Sequence, residues 1–116
     1  TTAVLVAAIP GVTGAVLIIA ALRLFARTGT PPEPWKPTAA LATDGVYRFT
    51  RNPMYLGMAL LLLALALGFR SWATLVVWPI VILIVDRFVI AREERYLAGL
   101  FGAPYAAYRT QVRRWL

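Results

Sequence analysis

The stretch Gly45-Val46-Tyr47-Arg48-Phe49-Thr50-Arg51-Asn52-Pro53-Met54-Tyr55-Leu56-Gly57 decides how the chain is read. Its first half is basic and aromatic, and at Met54 it runs into an apolar segment. Pro53 suits the first turn of a helix, where a missing N–H leaves no bond unmade. The stretch therefore reads as a membrane-surface loop that turns into a transmembrane helix. Arg48, Arg51, Tyr47, Tyr55 and Asn52 crowd the entrance to that helix. Such a cluster suits an interfacial belt or a binding site.

Towards the C-terminus, Met54–Phe69 runs for sixteen residues without a charge, just under the usual spanning length of about 17–25. Gly68-Phe69-Arg70-Ser71 is a tight connection, with Ser71 placed to cap the next helix. Trp72–Ile90 is a further apolar run, broken by Asp86-Arg87. It spans only if that pair lies near one end of the crossing. Intramembrane charges usually face a polar cavity or a partner. Adjacent residues on a helix do not face each other, so Asp86 and Arg87 are read as functional. The tail Ala91–Leu116 opens with a helical continuation through Tyr96 and restarts at Phe101-Gly102-Ala103-Pro104. Tyr105, Tyr108, Val112 and Trp115 or Leu116 then share one face of an amphipathic helix expected to lie on the membrane.

Towards the N-terminus, Arg27–Asn52 is a long polar connection. Pro31, Pro32, Pro34 and Pro37 exclude regular helix there, and Thr43-Asp44-Gly45 reads as a turn. Ala3–Leu22 is uncharged and long enough to cross the bilayer. Pro10, Gly11 and Gly14 would let a neighbouring helix come close. No basic segment precedes this run, as a secretory signal would require.

Of the 116 residues, 60% are hydrophobic and the mean hydropathy is +0.71, against about half apolar in a soluble domain. The chain has no Cys and no His, which removes disulfides, thiolate nucleophiles, the commonest general base and the commonest metal ligand. No metal site is expected. The net charge of +7 comes from residues flanking apolar runs, which favours lipid headgroups over nucleic acid as partner. The expected architecture is one all-α integral membrane domain over 1–116. It has three transmembrane helices at about 3–26, 53–69 and 72–90, a loop over 27–52 and a tail over 91–116. The C-terminal amphipathic helix would cap a cofactor pocket. Basic residues concentrate on the loop and tail, with Arg70 opposite, so loop and C-terminus are expected in the cytoplasm, at a prokaryotic plasma membrane.

At the shared mouth, Asp86, Ile90 and Glu93 fall on one helical face, and Arg87, Ile90 and Glu94 on the neighbouring one. Arg51, Asn52 and Tyr55 would face them. A carboxylate can hold ribose hydroxyls or a cation, an arginine a carboxylate, and a tyrosine ring an adenine or a sulfonium. This suits a nucleotide-like cofactor, without any Gly-rich phosphate cradle.

The box at 45–57, followed by Glu93-Glu94, Leu97, Phe101-Gly102, Tyr105, Tyr108 and Val112, resembles the isoprenylcysteine carboxyl methyltransferase and phospholipid methyltransferase superfamily. The resemblance covers roughly Pro37 to Trp115. It implies an integral membrane enzyme using S-adenosylmethionine. The implied cofactor contacts are the Ala40-Leu41 backbone, Tyr47, the Asn52-Pro53-Met54-Tyr55 turn and Glu93, with Arg51 beside them. Asn52 stands where many members carry His. Val89 stands where animal members carry a substrate arginine. Arg87 and Arg92 are the nearest substitutes and, with Glu94, are the expected catalytic residues. The expected acceptor is a lipidic or prenylated carboxylate of the isoprenylcysteine type, which needs no base. The alternatives are a phospholipid amine, an NADPH-dependent enzyme like the sterol reductases, and a non-catalytic membrane protein.

Overall fold

The computed structural model describes residues 2–28 and 45–115. All regular structure among them is helical: α1 (Thr2–Thr28), a 3-10 turn (Gly45–Arg48), α2 (Pro53–Gly68), α3 (Trp72–Ile84), a π turn (Val85–Ile90), α4 (Ala91–Phe101) and α5 (Ala103–Gln111).

α2 is the central helix, packed antiparallel on α1 through small residues. A Cβ on Gly14 would lie 2.6 Å from the Gly57 carbonyl oxygen. One on Gly57 would lie 2.6 Å from Ile18 Cγ1 and 2.7 Å from the Gly14 carbonyl oxygen. Further along the same seam Gly11 faces Ala64, and Gly68 faces Ala7. Close approach of backbones is how apolar helices associate where lipid removes the hydrophobic driving force. α2 turns into α3 through Phe69 and Arg70, with Arg70 in the left-handed region at φ 51°. Ser71 Oγ caps α3 by accepting from the Thr74 N–H at 3.2 Å. The Trp78 indole N–H donates to the Ala59 carbonyl at 2.7 Å and ties α3 to α2. Pro10 and Pro79 sit inside α1 and α3 without ending them.

Two features of the expected architecture are corrected. Two helices, not three, are long and apolar enough to cross a membrane: Thr2–Arg27, with 26 residues, and Trp72–Phe101, with 30. α2 has 16 residues, about 24 Å at 1.5 Å per residue, against a hydrocarbon core of about 30 Å. The helix that begins at Trp72 continues past Ile90. The π turn carries it into α4, and nothing breaks the helix before Gly102, whose φ is +62°. The tail does not supply an amphipathic helix capping a pocket. α5 is nine residues long, and its tyrosine face is buried in protein, with Tyr105 at 2% and Tyr108 at 8% exposure. The chain leaves the helix at Val112, so Trp115 is not on that face.

The apolar exterior remains. Leu5, Ile9, Val12 and Val16 on α1, and Val76, Ile80 and Leu83 on α3, are exposed. With the two long apolar helices, this makes the chain an integral membrane protein.

The glycine seam gives a direct check. Gly14→Ala should destabilise the detergent-solubilised protein by about 1–3 kcal/mol, the usual cost of forcing an atom into a packed contact. Gly99 has open space around it, so Gly99→Ala should be neutral or raise the melting temperature, since alanine favours helix by up to about 1 kcal/mol. Equal effects of the two substitutions on melting would exclude the seam.

Candidate functional site

The end of α1, the 3-10 turn, the start of α2, α4 and α5 meet at one end of the molecule. Ala21, Tyr47, Tyr105 and Tyr108 form the buried core there, with Leu24, Phe25, Met54, Leu97 and Phe101 packed around it. The Phe25 and Tyr47 rings lie 5.7 Å apart. The Tyr108 hydroxyl donates to the Tyr47 carbonyl at 2.7 Å, which fixes the turn leading into α2. Burial pushes the pKa of both Tyr47 and Tyr108 well above the ordinary phenol value. Both phenols therefore stay protonated, and Tyr108 acts as a neutral hydrogen-bond donor. This core brings Gly45–Gly57 against Asp86–Arg95, as their shared place at the mouth required.

The polar centre is built on Glu94, which is 7% exposed. Arg51 Nη1 donates to its Oε2 at 2.7 Å. Arg114 grips it from the other side, Nε reaching Oε2 at 3.0 Å and Nη2 reaching Oε1. The remaining Arg114 nitrogen, Nη1, donates to Asp86 Oδ1 at 3.1 Å. The Trp115 indole N–H donates to that same oxygen at 2.9 Å. The hydrogen bonds it donates to Glu94 raise the Arg114 pKa further, so the guanidinium stays charged. Beyond α5 the tail is sewn to the loop before α2. The Arg51 N–H donates to the Arg113 carbonyl at 2.9 Å, and the Asn52 side-chain amide to the Arg114 carbonyl at 2.9 Å. The Thr50 hydroxyl donates to the Arg114 carbonyl at 3.2 Å.

Glu93 is treated differently. Of the three acids among the described residues, it alone has a hydroxyl rather than a cation as partner: the Tyr55 hydroxyl donates to its Oε1. Tyr47 lies close enough that the Glu93 charge opposes ionisation of its phenol. The division follows from the π turn, where the Ala91 N–H bonds to the Asp86 carbonyl, five residues back. One wide turn adds a residue to the helix. Asp86 then shares Arg114 with Glu94, eight residues on, instead of sharing a face with Glu93 at the regular spacing of seven.

The expected site residues fall into groups. Tyr47, Met54, Tyr55 and Glu93 line the aromatic and acidic mouth. Pro53 is buried at the first turn of α2. Asn52 precedes it without capping the helix, its amide being committed to the tail. Arg51 and Glu94 pair with each other. Arg87 is 70% exposed, 3.6 Å from Asp86, and Arg92 is exposed on α4; neither joins the cluster. Ala40 and Leu41 lie outside the described residues. Arg114, a tail arginine of the kind the Glu94 side of the helix calls for, belongs to the cluster, and Trp115 and Thr50, which were not singled out, join it. The signal for them was the acid pair at 93–94, with too few local cations suitably placed, and the Arg113-Arg114-Trp115 end of the chain.

The sequence profile of a family described as phospholipid methyltransferase matches residues 2–104. An uncharacterized protein of Haemophilus influenzae is 44% identical over 66 residues, 54% of this chain and all of that one. A protein-S-isoprenylcysteine O-methyltransferase of Schizosaccharomyces pombe is 31% identical over 72 residues, which is 62% of this chain and 30% of that enzyme. This chain therefore spans less than a third of the yeast enzyme's length. No solved structure matches significantly. The membrane methyltransferase expected from residues 45–57 and 93–112 agrees with the profile and with the yeast relative: the chain belongs to the phospholipid methyltransferase family.

Proposed function

We propose that this chain transfers a methyl group from S-adenosylmethionine to a membrane-borne carboxylate of the isoprenylcysteine type, at the mouth formed by Glu93, Tyr55 and Tyr47. Family membership implies the methyl donor. The observation that carries the site is the state of Glu93: partly buried, oriented by one hydroxyl, beside two tyrosines and free of ion pairing among the described residues. A carboxylate in that state, next to ring faces, is chemistry for a cation, and the donor carries two: a sulfonium and an α-ammonium.

S-adenosylmethionine, when bound, supplies an electrophilic methyl group on its sulfonium. Glu93 would provide the counter-charge, and Tyr55 would hold the carboxylate in place. The Asn52 side-chain oxygen takes no bond from the described residues and can accept one from the donor molecule. Transfer to a carboxylate oxygen, with S-adenosylhomocysteine as the leaving group, would require no proton to leave. That suits a chain without histidine, whose Asp86 and Glu94 are both held by arginine. Positioning then supplies most of the acceleration. The yeast relative's name supports this acceptor. The family's description supports a second one, a phospholipid amine. There Glu93 would be the acid left to take the amine proton. The arginine-rich end of the molecule would face the cytoplasm.

The two acceptors separate on product chemistry. Purified protein, methyl-labelled S-adenosylmethionine and vesicles containing either a farnesylated cysteine or phosphatidylethanolamine should give label in the first. That label should be released as methanol by mild alkali, as a methyl ester requires. Alkali-stable label in the second would assign the amine, and no label in either would remove both. In calorimetric titration, Glu93→Gln should weaken S-adenosylmethionine binding by about 1–2 kcal/mol, roughly ten-fold, with little change in melting. Glu94→Gln should instead lower stability by about 1–3 kcal/mol, since it takes the carboxylate from Arg51 and leaves Arg114 with Asp86 alone. Unchanged binding by Glu93→Gln would take Glu93 out of the site.

A further inference from the structure

We infer that Arg114 is a positioning residue for the methyl-donor site, acting through the segment after α5 without touching the donor. The inference rests on the proposed function for what the site holds. Its geometry stands independently.

Arg114 is the only described residue bonded to both walls of the mouth. Its guanidinium grips Glu94 and Asp86 on the α3–α4 helix. Its carbonyl oxygen accepts from the Asn52 amide at 2.9 Å and from the Thr50 hydroxyl at 3.2 Å, on the loop entering α2. The neighbouring Arg113 carbonyl takes the Arg51 N–H, and Trp115 adds a second hold on Asp86. One extended segment thus joins the wall carrying Glu93 to the wall carrying Tyr55. The join lies one residue from Glu93, at Glu94, and three residues from Tyr55, at Asn52. Asn52 occupies the cap position of α2, and its side chain does not cap the helix. The tail thus holds the loop that enters the first turn of α2, alongside the Tyr108–Tyr47 bond. The Tyr55–Glu93 hydrogen bond closes a ring whose other side is Arg114.

Lysine at 114 would keep one charge. It could not grip Glu94 with two nitrogens while reaching Asp86 with a third. The tail's hold on the α3–α4 wall would then loosen, leaving that wall tied to the α2 side by Arg51–Glu94 and Tyr55–Glu93 alone. A shift of about 1 Å is enough to loosen a site built on positioned hydrogen bonds.

The test uses the full chain in detergent with Arg114→Lys, Arg114→Ala and Trp115→Phe. It measures S-adenosylmethionine affinity per folded molecule and amide hydrogen exchange in Met54–Gly57. Arg114→Lys should bind about ten-fold more weakly, and those amides should exchange faster while the α1–α2 seam keeps its protection. Methylguanidinium added to Arg114→Ala should recover part of the affinity and part of the protection. Trp115→Phe, which loses a single bond, should lie between wild type and lysine. Wild-type affinity and wild-type exchange in Arg114→Lys, with only the melting temperature lowered, would overturn the inference. If wild type binds no S-adenosylmethionine, the functional proposal fails. The exchange rates then decide alone whether Arg114 positions the first turn of α2. If Arg114→Ala does not fold, the lysine and Trp115 variants carry the same comparison.

Discussion

The structure depends on a carboxylate that cannot be left unpaired. Glu94 is 7% exposed, and removing one partner of a buried ion pair typically costs several kcal/mol. Its partners are remote in sequence, Arg51 lying 43 residues before it and Arg114 20 residues after. Satisfying that one acid therefore draws together the loop before α2, the far end of the long helix and the segment after α5. The glycine seam between α1 and α2 and the tyrosine core around Tyr105 position the pieces, and the acid joins them.

That requirement also explains why two adjacent glutamates behave so differently. Neighbours on a helix point about 100° apart. Glu94 turns towards the tail and is neutralised by two guanidinium groups. Glu93 turns towards α2, where Tyr55 gives it direction without cancelling its charge. A negative site held in place by neutral donors is suited to receive a positive ligand. A site already holding arginine is not. The proposed chemistry follows from this division, since it leaves one charge free at the mouth.

Much of this was legible in the residues, for identifiable reasons. Pro53 and Ser71 act locally, and both stand where helix-start chemistry puts them. Gly14 signals close approach because only a missing Cβ permits it. The tyrosines at 105 and 108 declare a common face through their spacing, but spacing does not say what covers that face. Protein covers it where membrane was expected. The length of α2 could be counted, yet treating it as a crossing required adding charged or capping residues at its ends. The π turn left no mark that periodicity can read. It inserts one residue into the register, moves Asp86 from the Glu93 face to share Arg114 with Glu94, and turns a single acidic face into two acids with different fates. That a tail arginine would reach Glu94 follows from the side of the helix Glu94 occupies; that it is Arg114, with Asp86 as a second partner, left no mark in local spacing. The box at 45–57 and the acid pair pointed to the right end of the molecule; which residue binds what depended on that one inserted turn.

A double-mutant cycle between Glu94 and Arg114 tests the central claim most directly. Unfolding free energies would be measured for wild type, Glu94→Gln, Arg114→Gln and the double variant under the same detergent conditions. The expected result is strong coupling, about 1–3 kcal/mol, with the double variant little worse than either single one. Additive losses, within about 0.5 kcal/mol, would contradict the claim that this pair holds the loop, the long helix and the tail together.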